Sequence, residues 1–278
     1  MEQFKIPIGS VIEGIINFFV DHFAFLTKAF SKVTEHGIEM LVNLMMFFPP
    51  WLLILFFAAL AYILTKKRGI VLFTFLGLCL IWNLGLWPPT VSTLSLVLIS
   101  TLFAIAIGVP LGILAAISNI FYRIIMPILD FMQTMPAFVY LIPAIPFFGL
   151  GPVAAIFSTV IFSMPPAIRL TCLGIKQVPK ELVEAADAFG SSKAQKLFKL
   201  QLPIATPTIM AGINQTIMLA LSMVVIAAMI GAKGLGGEVW KAIQRLQPDK
   251  GFEAGIGIVI VAIILDRIMQ QFGTKKES

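Results

Sequence analysis

The first 40 residues alternate apolar and polar positions with the period of a helix. The apolar positions recur at three- and four-residue spacing, and they are Ile12, Ile15, Ile16, Phe19, Phe23, Leu26, Phe30 and Val33. The polar positions between them are Glu13, Asn17, Asp21, Lys28 and Lys32. The pattern predicts an amphipathic helical segment over residues 1–40 that is too polar to span a membrane. We expect it to lie along the membrane interface or against neighbouring helices.

Beyond residue 40 the pattern changes to long apolar runs. A helix needs about 20 apolar residues to cross about 30 Å of hydrocarbon. The sequence predicts seven such helices, at residues 41–64, 70–86, 91–117, 124–148, 153–175, 209–230 and 254–269. Pro49 and Pro50 can kink or break the first of them. We therefore expect accessory spans at 41–90, a membrane core at 91–270 and a cytoplasmic tail at 271–278.

Composition places the chain among all-α polytopic membrane proteins. Its residues are 59% hydrophobic and 12% charged, and its mean hydropathy is +0.97, far from the balance of a soluble domain. The net charge of +6 does not indicate nucleic-acid binding, because the basic residues are scattered between apolar runs. Cys79 and Cys172 lie within such runs, so they predict neither a disulfide nor a metal site.

The positions of lysine and arginine predict the orientation in the membrane. If residues 184–203 are cytoplasmic, the cytoplasmic segments hold most of the 20 basic residues, whereas the tight outer turns near Trp87 and Leu150 hold none. The N-terminus is then outside and the C-terminus is in the cytoplasm. The spacing within the outer loop at 233–253 predicts an amphipathic surface helix, which could dock a binding protein.

One stretch, EAADAFGSSKAQKLFKLQLP at residues 184–203, is polar although apolar runs flank it. Gly190 suits the left-handed end of a first short helix. Ser192 and Gln195 form a capping box for a second helix, which we predict to end before Pro203. Together the two helices would make a compact knob with apolar side chains available to bury in a groove, namely Ala185, Ala186, Ala188 and Phe189. From the residues alone, a solvated connector is an equally good explanation.

The same stretch resembles the EAA signature of permease subunits in binding-protein-dependent ABC importers. In that family a glycine follows Glu-Ala-Ala, and a hydrophobic-X-Leu-Pro sequence closes the motif. The matching residues here are Glu184, Ala185, Ala186, Gly190, Leu200, Leu202 and Pro203. Two longer runs, PILDFMQTMPAFVYLIPAI and GINQTIMLALSMVVIAAMIGAKGLGGEV, resemble the subgroup that imports glycine betaine and proline betaine.

The resemblance implies a MetI-like type I importer fold in the bacterial inner membrane, with its core at 91–270 and the EAA loop at 176–208. It implies that the loop presents a coupling helix to a cytoplasmic ABC ATPase subunit. It further implies a permease homodimer around one pathway, surrounded by membrane lipid, and an extracellular or periplasmic binding protein that delivers the substrate.

We expect no enzymatic activity from the chain itself. The sequence has no G-x-x-x-x-G-K-[ST] motif, and the glycines at 231–237 follow an apolar run rather than a strand, so they predict a hinge-like turn. ATP and magnesium are therefore expected on the partner ATPase. No cofactor, metal or catalytic residue is assigned to this chain.

Polar and aromatic side chains within the predicted spans are candidates for the substrate pathway. Glycine betaine carries a quaternary ammonium without a hydrogen-bond donor, so aromatic faces can hold it by cation–π attraction. The candidates are Gln133, Thr134, Phe138, Tyr140, Asn214, Gln215 and Ser222. Helix packing is the alternative explanation for each of them, because small polar residues commonly join membrane helices.

Asp130 and Arg169 are the two charged residues between 124 and 175. Charged groups at membrane depth usually pair or reach an interface, and both residues fall near the predicted cytoplasmic ends of adjacent spans. We hypothesise an ion pair that braces this hairpin on the gate side. The alternative is that each side chain reaches the lipid headgroups separately.

Two other functions stay open from the sequence. A permease of the same fold could carry an amino acid or another quaternary amine, and competition between solutes for uptake would separate these substrates. An ion-driven secondary carrier or a channel is the other alternative. Such a protein would carry a set of intramembrane carboxylates, and Asp130 is the only one that we identify.

Overall fold

A computed structural model describes residues 8–22 and 24–273, and these residues form a bundle of helices. The α-helices are α1 (Ile8–His22), α2 (Ala24–Phe47), α3 (Pro50–Thr65), α4 (Arg68–Asn83), α5 (Trp87–Ile117), α6 (Asn119–Thr134), α7 (Leu141–Phe148), α8 (Pro152–Lys176), α9 (Lys180–Ala188), α10 (Lys193–Lys196), α11 (Leu202–Ile226), α12 (Leu235–Gln244) and α13 (Pro248–Gly273). The all-α class is confirmed. Phe23 and the predicted tail beyond residue 273 lie outside the described residues.

Three long helices, α5, α8 and α11, form the centre of the bundle. They approach closely because glycines leave room for the neighbouring helix. A methyl group on Gly112 of α5 would lie 2.6 Å from the carbonyl oxygen of Ile168 in α8. One on Gly212 of α11 would lie 2.8 Å from Cβ of Leu170, also in α8. The central helices are therefore held at backbone contact distance.

By length and apolar composition, three described helical stretches are able to cross a membrane, namely Trp87–Ile117, Pro152–Lys176 and Lys193–Ile230. The number rises to five when each of two bent helix pairs counts as one span. Helices α3 and α4 are apolar but have 16 residues each. The predicted span at 41–64 is broken at Pro49 and Pro50, as the sequence allowed, because proline disfavours helical backbone just before it and the two prolines separate α2 from α3.

The predicted span at 124–148 is not one continuous helix. Helix α6 ends at Thr134, and the following segment, Ala137–Phe148, lies at 113° to it. Pro136 explains the break, since proline lacks an N–H group and keeps Met135 extended, with φ −72° and ψ 135°. Irregular backbone at membrane depth is tolerated where it is buried in protein or lines a water-filled cavity. We therefore expect the break to be shielded from lipid.

The N-terminal segment is helical in its described part. Phe30 of α2 packs into the bundle, with its ring centroid 5.5 Å from that of Phe103, 5.4 Å from that of Phe148 and 6.2 Å from that of Phe157. Val11 and Ile15 of α1 are more than half exposed. The segment thus packs against neighbouring helices through α2, and α1 keeps apolar surface exposed.

Candidate coupling loop and membrane pathway

Helix α9 carries the first half of the EAA-like motif and ends in a left-handed turn at Gly190. The Gly190 φ angle is +74°. The Gly190 N–H donates to the Asp187 carbonyl at 3.0 Å, and the Ser191 N–H donates to the Ala186 carbonyl at 3.0 Å. These two bonds form a Schellman motif, which satisfies carbonyls at the end of a helix. The glycine is needed here because left-handed backbone is sterically costly for residues with a Cβ atom.

Helix α10 begins with the predicted capping box. The Gln195 N–H donates to Ser192 Oγ at 3.2 Å, and the Ser192 N–H donates to Gln195 Oε1 at 2.8 Å. Two N–H groups at the start of the helix therefore have partners. These contacts agree with the predicted pair of short helices and with the predicted Gly190 turn between them.

The expectation that the second helix ends before Pro203 is wrong. The helical stretch runs without interruption from Lys193 to Ile230, a length of 38 residues. It widens into a π-helical turn at Leu197–Gln201, where the Leu202 N–H donates to the Leu197 carbonyl. A widened turn accommodates a proline ring that would clash with the carbonyl four residues earlier in a regular α-helix. The polar loop is consequently continuous with the central helix α11.

An ion pair across the turn fixes α9 against α10. Lys196 Nζ lies 2.7 Å from Asp187 Oδ1 and 2.8 Å from Asp187 Oδ2. Sequence spacing does not predict this pairing. Their nine-residue separation places them on different helices, so the usual i, i+4 spacing rule gives no signal. The ion pair and the Schellman motif together make the loop a compact knob, which we call the coupling knob (residues 180–201).

The coupling knob presents its motif residues at the surface of the single chain. Glu184 and Ala185 are exposed, Ala186 is half-buried, and the Phe189 side chain is 91% exposed. Farther along, Leu200 and Leu202 are half-buried and Pro203 is exposed. A cavity of about 210 Å³ lies beside α9, and its lining includes Lys176, Lys180, Glu184 and Gln201. An exposed aromatic ring such as that of Phe189 is suited to docking another protein.

Asp130 on α6 and Arg169 on α8 form an ion pair, in which Arg169 Nη2 lies 2.5 Å from Asp130 Oδ1. The Asp130 side chain is 66% exposed and that of Arg169 is 30% exposed, so the pair lies at the edge of the bundle. Nearer the end of α8, Lys176 Nζ lies 3.3 Å from the centre of the Tyr122 ring of α6. Two contacts at different levels therefore join α6 to α8.

We expect a double-mutant cycle of Asp130→Asn and Arg169→Gln to give a coupling energy of about 0.5–1 kcal/mol in the free energy of unfolding, typical of a partly exposed ion pair. The measurement is chemical unfolding of the detergent-solubilised chain. The matched control is the exposed pair Lys241–Glu238 within α12, for which about 0.3 kcal/mol is expected. A coupling energy of zero for Asp130 and Arg169 would discard the bracing role.

The candidates from the first pathway stretch lie at the Pro136 break but divide into two groups. Gln133, Thr134 and Phe138 are exposed on the single chain, and the Phe138 side chain is 59% exposed. Tyr140 is buried, its hydroxyl donates to the Met132 carbonyl, and its own carbonyl accepts from Ser158 Oγ at 3.1 Å. Tyr140 therefore joins the segment after the break to α6 and α8. These contacts support helix packing as the explanation for this residue.

The candidates from α11 divide in the same way. Asn214 Nδ2 donates to Asp266 Oδ1 of α13 at 3.0 Å, so Asn214 joins two helices. Gln215 and Ser222 are exposed, seven residues apart on one face of α11. Gln270 Nε2 also donates to Asp266, at 2.7 Å. The sequence analysis overlooked Asp266, although a carboxylate inside the apolar run at 254–269 was a usable signal, and Asp130 is thus not the only acidic residue within the helices.

The glycine-rich segment after α11 turns the chain at the opposite end of the bundle. Gly231 and Gly234 have φ angles of +91° and +138°. The Leu235 N–H, at the start of α12, donates to Thr93 Oγ1 of α5 at 2.8 Å. A methyl group on Gly234 would lie 2.5 Å from the same Thr93 oxygen. The segment is a tight turn anchored on α5, and α12 is the amphipathic helix predicted for the outer loop.

The membrane helices and the coupling knob occur together in one known family. A family model described as "Binding-protein-dependent transport system inner membrane component" matches residues 108–277, which include the whole coupling knob and α11. The chain belongs to this family. Members are transport components of the inner membrane, so the multi-pass membrane location and the role as a transport subunit follow from membership.

Several relatives match nearly the whole chain. The glycine betaine transport system permease protein OpuAB of Bacillus subtilis is 54% identical, covering 99% of this chain and 97% of the relative. The glycine betaine/carnitine transport permease protein GbuB of Listeria monocytogenes is 52% identical over 98% of both chains. The glycine betaine/proline betaine permease protein ProW of Escherichia coli is 46% identical, covering 98% of this chain and 77% of the relative.

The fold also resembles a solved structure. An inward-facing structure of the MetNI methionine ABC transporter superposes with a TM-score of 0.62 at 24% sequence identity, covering 68% of this chain and 96% of the matched chain. This similarity confirms the MetI-like type I importer fold expected from the EAA-like motif.

Proposed function

We propose that this chain is the permease subunit of an ATP-driven importer of glycine betaine and related betaines. The observation that carries the proposal is the match to OpuAB, GbuB and ProW, all glycine betaine permeases, at 46–54% identity along nearly the full chain. In this proposal residues 1–40 lie at the membrane interface, residues 41–90 are accessory helices, and residues 91–270 form the transport core.

The coupling knob is the proposed docking site for a cytoplasmic ABC ATPase subunit, which holds the ATP and magnesium. Its motif residues Glu184, Ala185 and Ala186 present the surface, and Phe189 is the apolar anchor. The knob is continuous with the stretch Lys193–Ile230, about 57 Å long at 1.5 Å per residue. A movement of the coupling knob is therefore passed to α11 along one helical stretch. Closing of the ATPase around ATP biases the permease between inward-open and outward-open states in this way.

The proposal includes a homodimer with its N-terminus outside and its C-terminus in the cytoplasm. Ile120, Ile124 and Ile128 of α6 are 77%, 57% and 48% exposed, so this apolar surface is available to a second copy. An extracellular or periplasmic binding protein would deliver substrate at the end of the bundle opposite the coupling knob. Membrane lipid would cover the apolar groove of about 890 Å³ formed by α2, α3, α5 and α13.

The exposed residues at the Pro136 break and on α11 are the proposed substrate contacts. Phe138 offers an aromatic face for a quaternary ammonium, worth about 0.5–2 kcal/mol. Gln133, Thr134, Gln215 and Ser222 supply polar groups that can face water in a pathway. Tyr140 and Asn214 are assigned to packing instead, because their polar groups already bond to neighbouring helices.

The experiment is uptake of labelled glycine betaine by vesicles containing the permease, its ATPase and its binding protein. We expect uptake only with ATP and binding protein present, and we expect unlabelled proline betaine to compete while methionine does not. Competition by an amino acid instead would favour the alternative substrate class. Uptake driven by an ion gradient without ATP would contradict the proposal in favour of a secondary carrier.

A further inference from the structure

The corner between α12 and α13 holds an unusual leucine. Leu246 has a φ angle of +53°, and it shares a positive φ with one other non-glycine residue of the described ranges, Lys66. Left-handed backbone is disfavoured for leucine, because its Cβ atom crowds the following carbonyl oxygen. Glycine or asparagine usually occupies this position after a helix. The corner therefore keeps a bulky apolar side chain where a smaller residue would fit with less strain.

The backbone around Leu246 is firmly held. Its N–H donates to the Ile243 carbonyl at 3.2 Å, and the Gln247 N–H donates to the Ala242 carbonyl at 2.9 Å, which together form a Schellman motif. Ala242 is buried, and a methyl group on Gly251 of α13 would lie 3.4 Å from Ala242 Cβ. The first turn of α13 thus packs directly on the end of α12. Hydrogen bonds and helix packing therefore hold the backbone at Leu246 in place.

The Leu246 side chain has no packing role in the single chain. It is 88% exposed, and among the large apolar side chains of the described residues only Phe189 is more exposed, at 91%. Polar exposed residues surround it in sequence: Gln244, Arg245, Asp249 and Lys250. These side chains keep the corner in water or at headgroup level, so hydrocarbon does not explain the exposed leucine.

The two most exposed apolar side chains lie at opposite ends of the bundle. Helix α11 carries the chain from the coupling knob to the segment that leads into α12. Each end therefore presents one apolar side chain at the end of a short helix, Phe189 at one and Leu246 at the other. The family is named for its dependence on a binding protein, and in the function proposed above that protein lies at the end of the bundle away from the ATPase.

We propose that Leu246 is the central anchor of the surface that docks the substrate-binding protein, a site that rests on the function proposed above. Ile243 and Phe252, which are 59% and 75% exposed, extend the apolar surface beside it. Arg245, Asp249 and Lys250 form a polar rim of mixed sign. This arrangement fits a partner with a small apolar pocket bordered by both charges, in which the leucine is desolvated and the rim excludes water.

The decisive variant is Leu246→Gly, because it separates the two explanations of the leucine. Glycine relieves the left-handed backbone, so a purely structural role predicts equal or greater thermal stability and unchanged partner binding. A docking role predicts weaker binding despite that equal or greater stability. Leu246→Asn is the second variant, since asparagine tolerates the same backbone but is polar. Val259→Ala, which truncates another exposed apolar side chain on α13, is the matched control.

The experiment uses the complete complex of permease and ATPase in lipid nanodiscs, with the glycine betaine-loaded binding protein of the same system as probe. We expect Leu246→Gly and Leu246→Asn to raise its dissociation constant by about tenfold and Val259→Ala to leave it unchanged. Wild-type affinity in both Leu246 variants would overturn the docking site while the proposed function stands. A wild-type complex that binds no binding protein, and whose ATP hydrolysis does not respond to it, would overturn the proposed function and the docking site together.

Discussion

Replacing Phe189 by aspartate is expected to lower ATP-driven uptake by about tenfold or more while the chain still inserts into the membrane. The ring is 91% exposed in the single chain, and in the proposed docking its burial in a groove of the ATPase would contribute about 1.5–3 kcal/mol. Aspartate removes this contribution and adds a charge to the docking surface. The measurement is uptake together with the amount of ATPase that co-purifies with the permease.

The control for Phe189 is Phe25→Asp, which changes an equally large ring that is 81% exposed on α2, away from the coupling knob. It should retain ATPase association. A second comparison uses Gly190, where a methyl group would meet nothing within 4 Å but the φ angle is +74°. Gly190→Asn should then preserve more coupling than Gly190→Val, because asparagine tolerates left-handed backbone and a β-branched residue does not. Full ATPase association and uptake in Phe189→Asp would remove the knob as the coupling element.

Replacing Gly112 by alanine is expected to destabilise the bundle by about 3 kcal/mol. The added methyl group would lie 2.6 Å from the Ile168 carbonyl oxygen and 2.6 Å from Thr171 Cβ, and neither position belongs to the end of a flexible side chain. Helices α5 and α8 must therefore separate, which disturbs the centre of the bundle. The measurement is the melting temperature and folded yield of the detergent-solubilised chain, with a fall of about 5 °C or more expected.

Gly255→Ala on α13 is the matched control, since a methyl group there would meet nothing within 4 Å. Helical alanine is favoured over glycine by about 0.5–1 kcal/mol, so this variant should be as stable as the wild type or more stable. Equal melting temperatures for Gly112→Ala and Gly255→Ala would contradict the close crossing of α5 and α8.

Local chemistry made the coupling knob largely predictable from the sequence. The left-handed Gly190 and the reciprocal bonds of Ser192 and Gln195 follow from rules that involve only near neighbours in the chain. Long apolar runs likewise marked α5, α8 and α11, because the length needed to cross a membrane leaves few alternatives. The fold class and the position of the coupling knob could therefore be derived before any tertiary contact was known.

Prolines limited the prediction, because their effect depends on what surrounds them. Pro136 breaks a helix, and the chain bends by 113° there. Pro203 instead follows a π-helical turn that accommodates its ring, so the helix continues. Both prolines follow helical sequence, and the residues alone do not distinguish a bend from a widened turn. The outcome depends on which neighbouring groups take up the freed backbone carbonyls.

Side-chain bonds between residues on different helices were the other limit on what the sequence could predict. The bonds between Lys196 and Asp187 and between Asn214 and Asp266 join residues nine and 52 positions apart, separations at which helix periodicity carries no information. The bond to Asp266 supports the helix-packing explanation for Asn214. By contrast, Asp130 and Arg169 could be proposed as partners, because no other charges lie within that apolar region.

Photo-crosslinking from position 189 tests the central claim most directly. A crosslinking amino acid in place of Phe189 would be activated in the assembled transporter, in intact cells, and the trapped protein would be identified by mass spectrometry. The account predicts a covalent adduct with the ATP-hydrolysing subunit on the cytoplasmic side. An adduct with an extracellular or periplasmic protein, or no adduct with an ATPase in a complex that transports substrate, would contradict it.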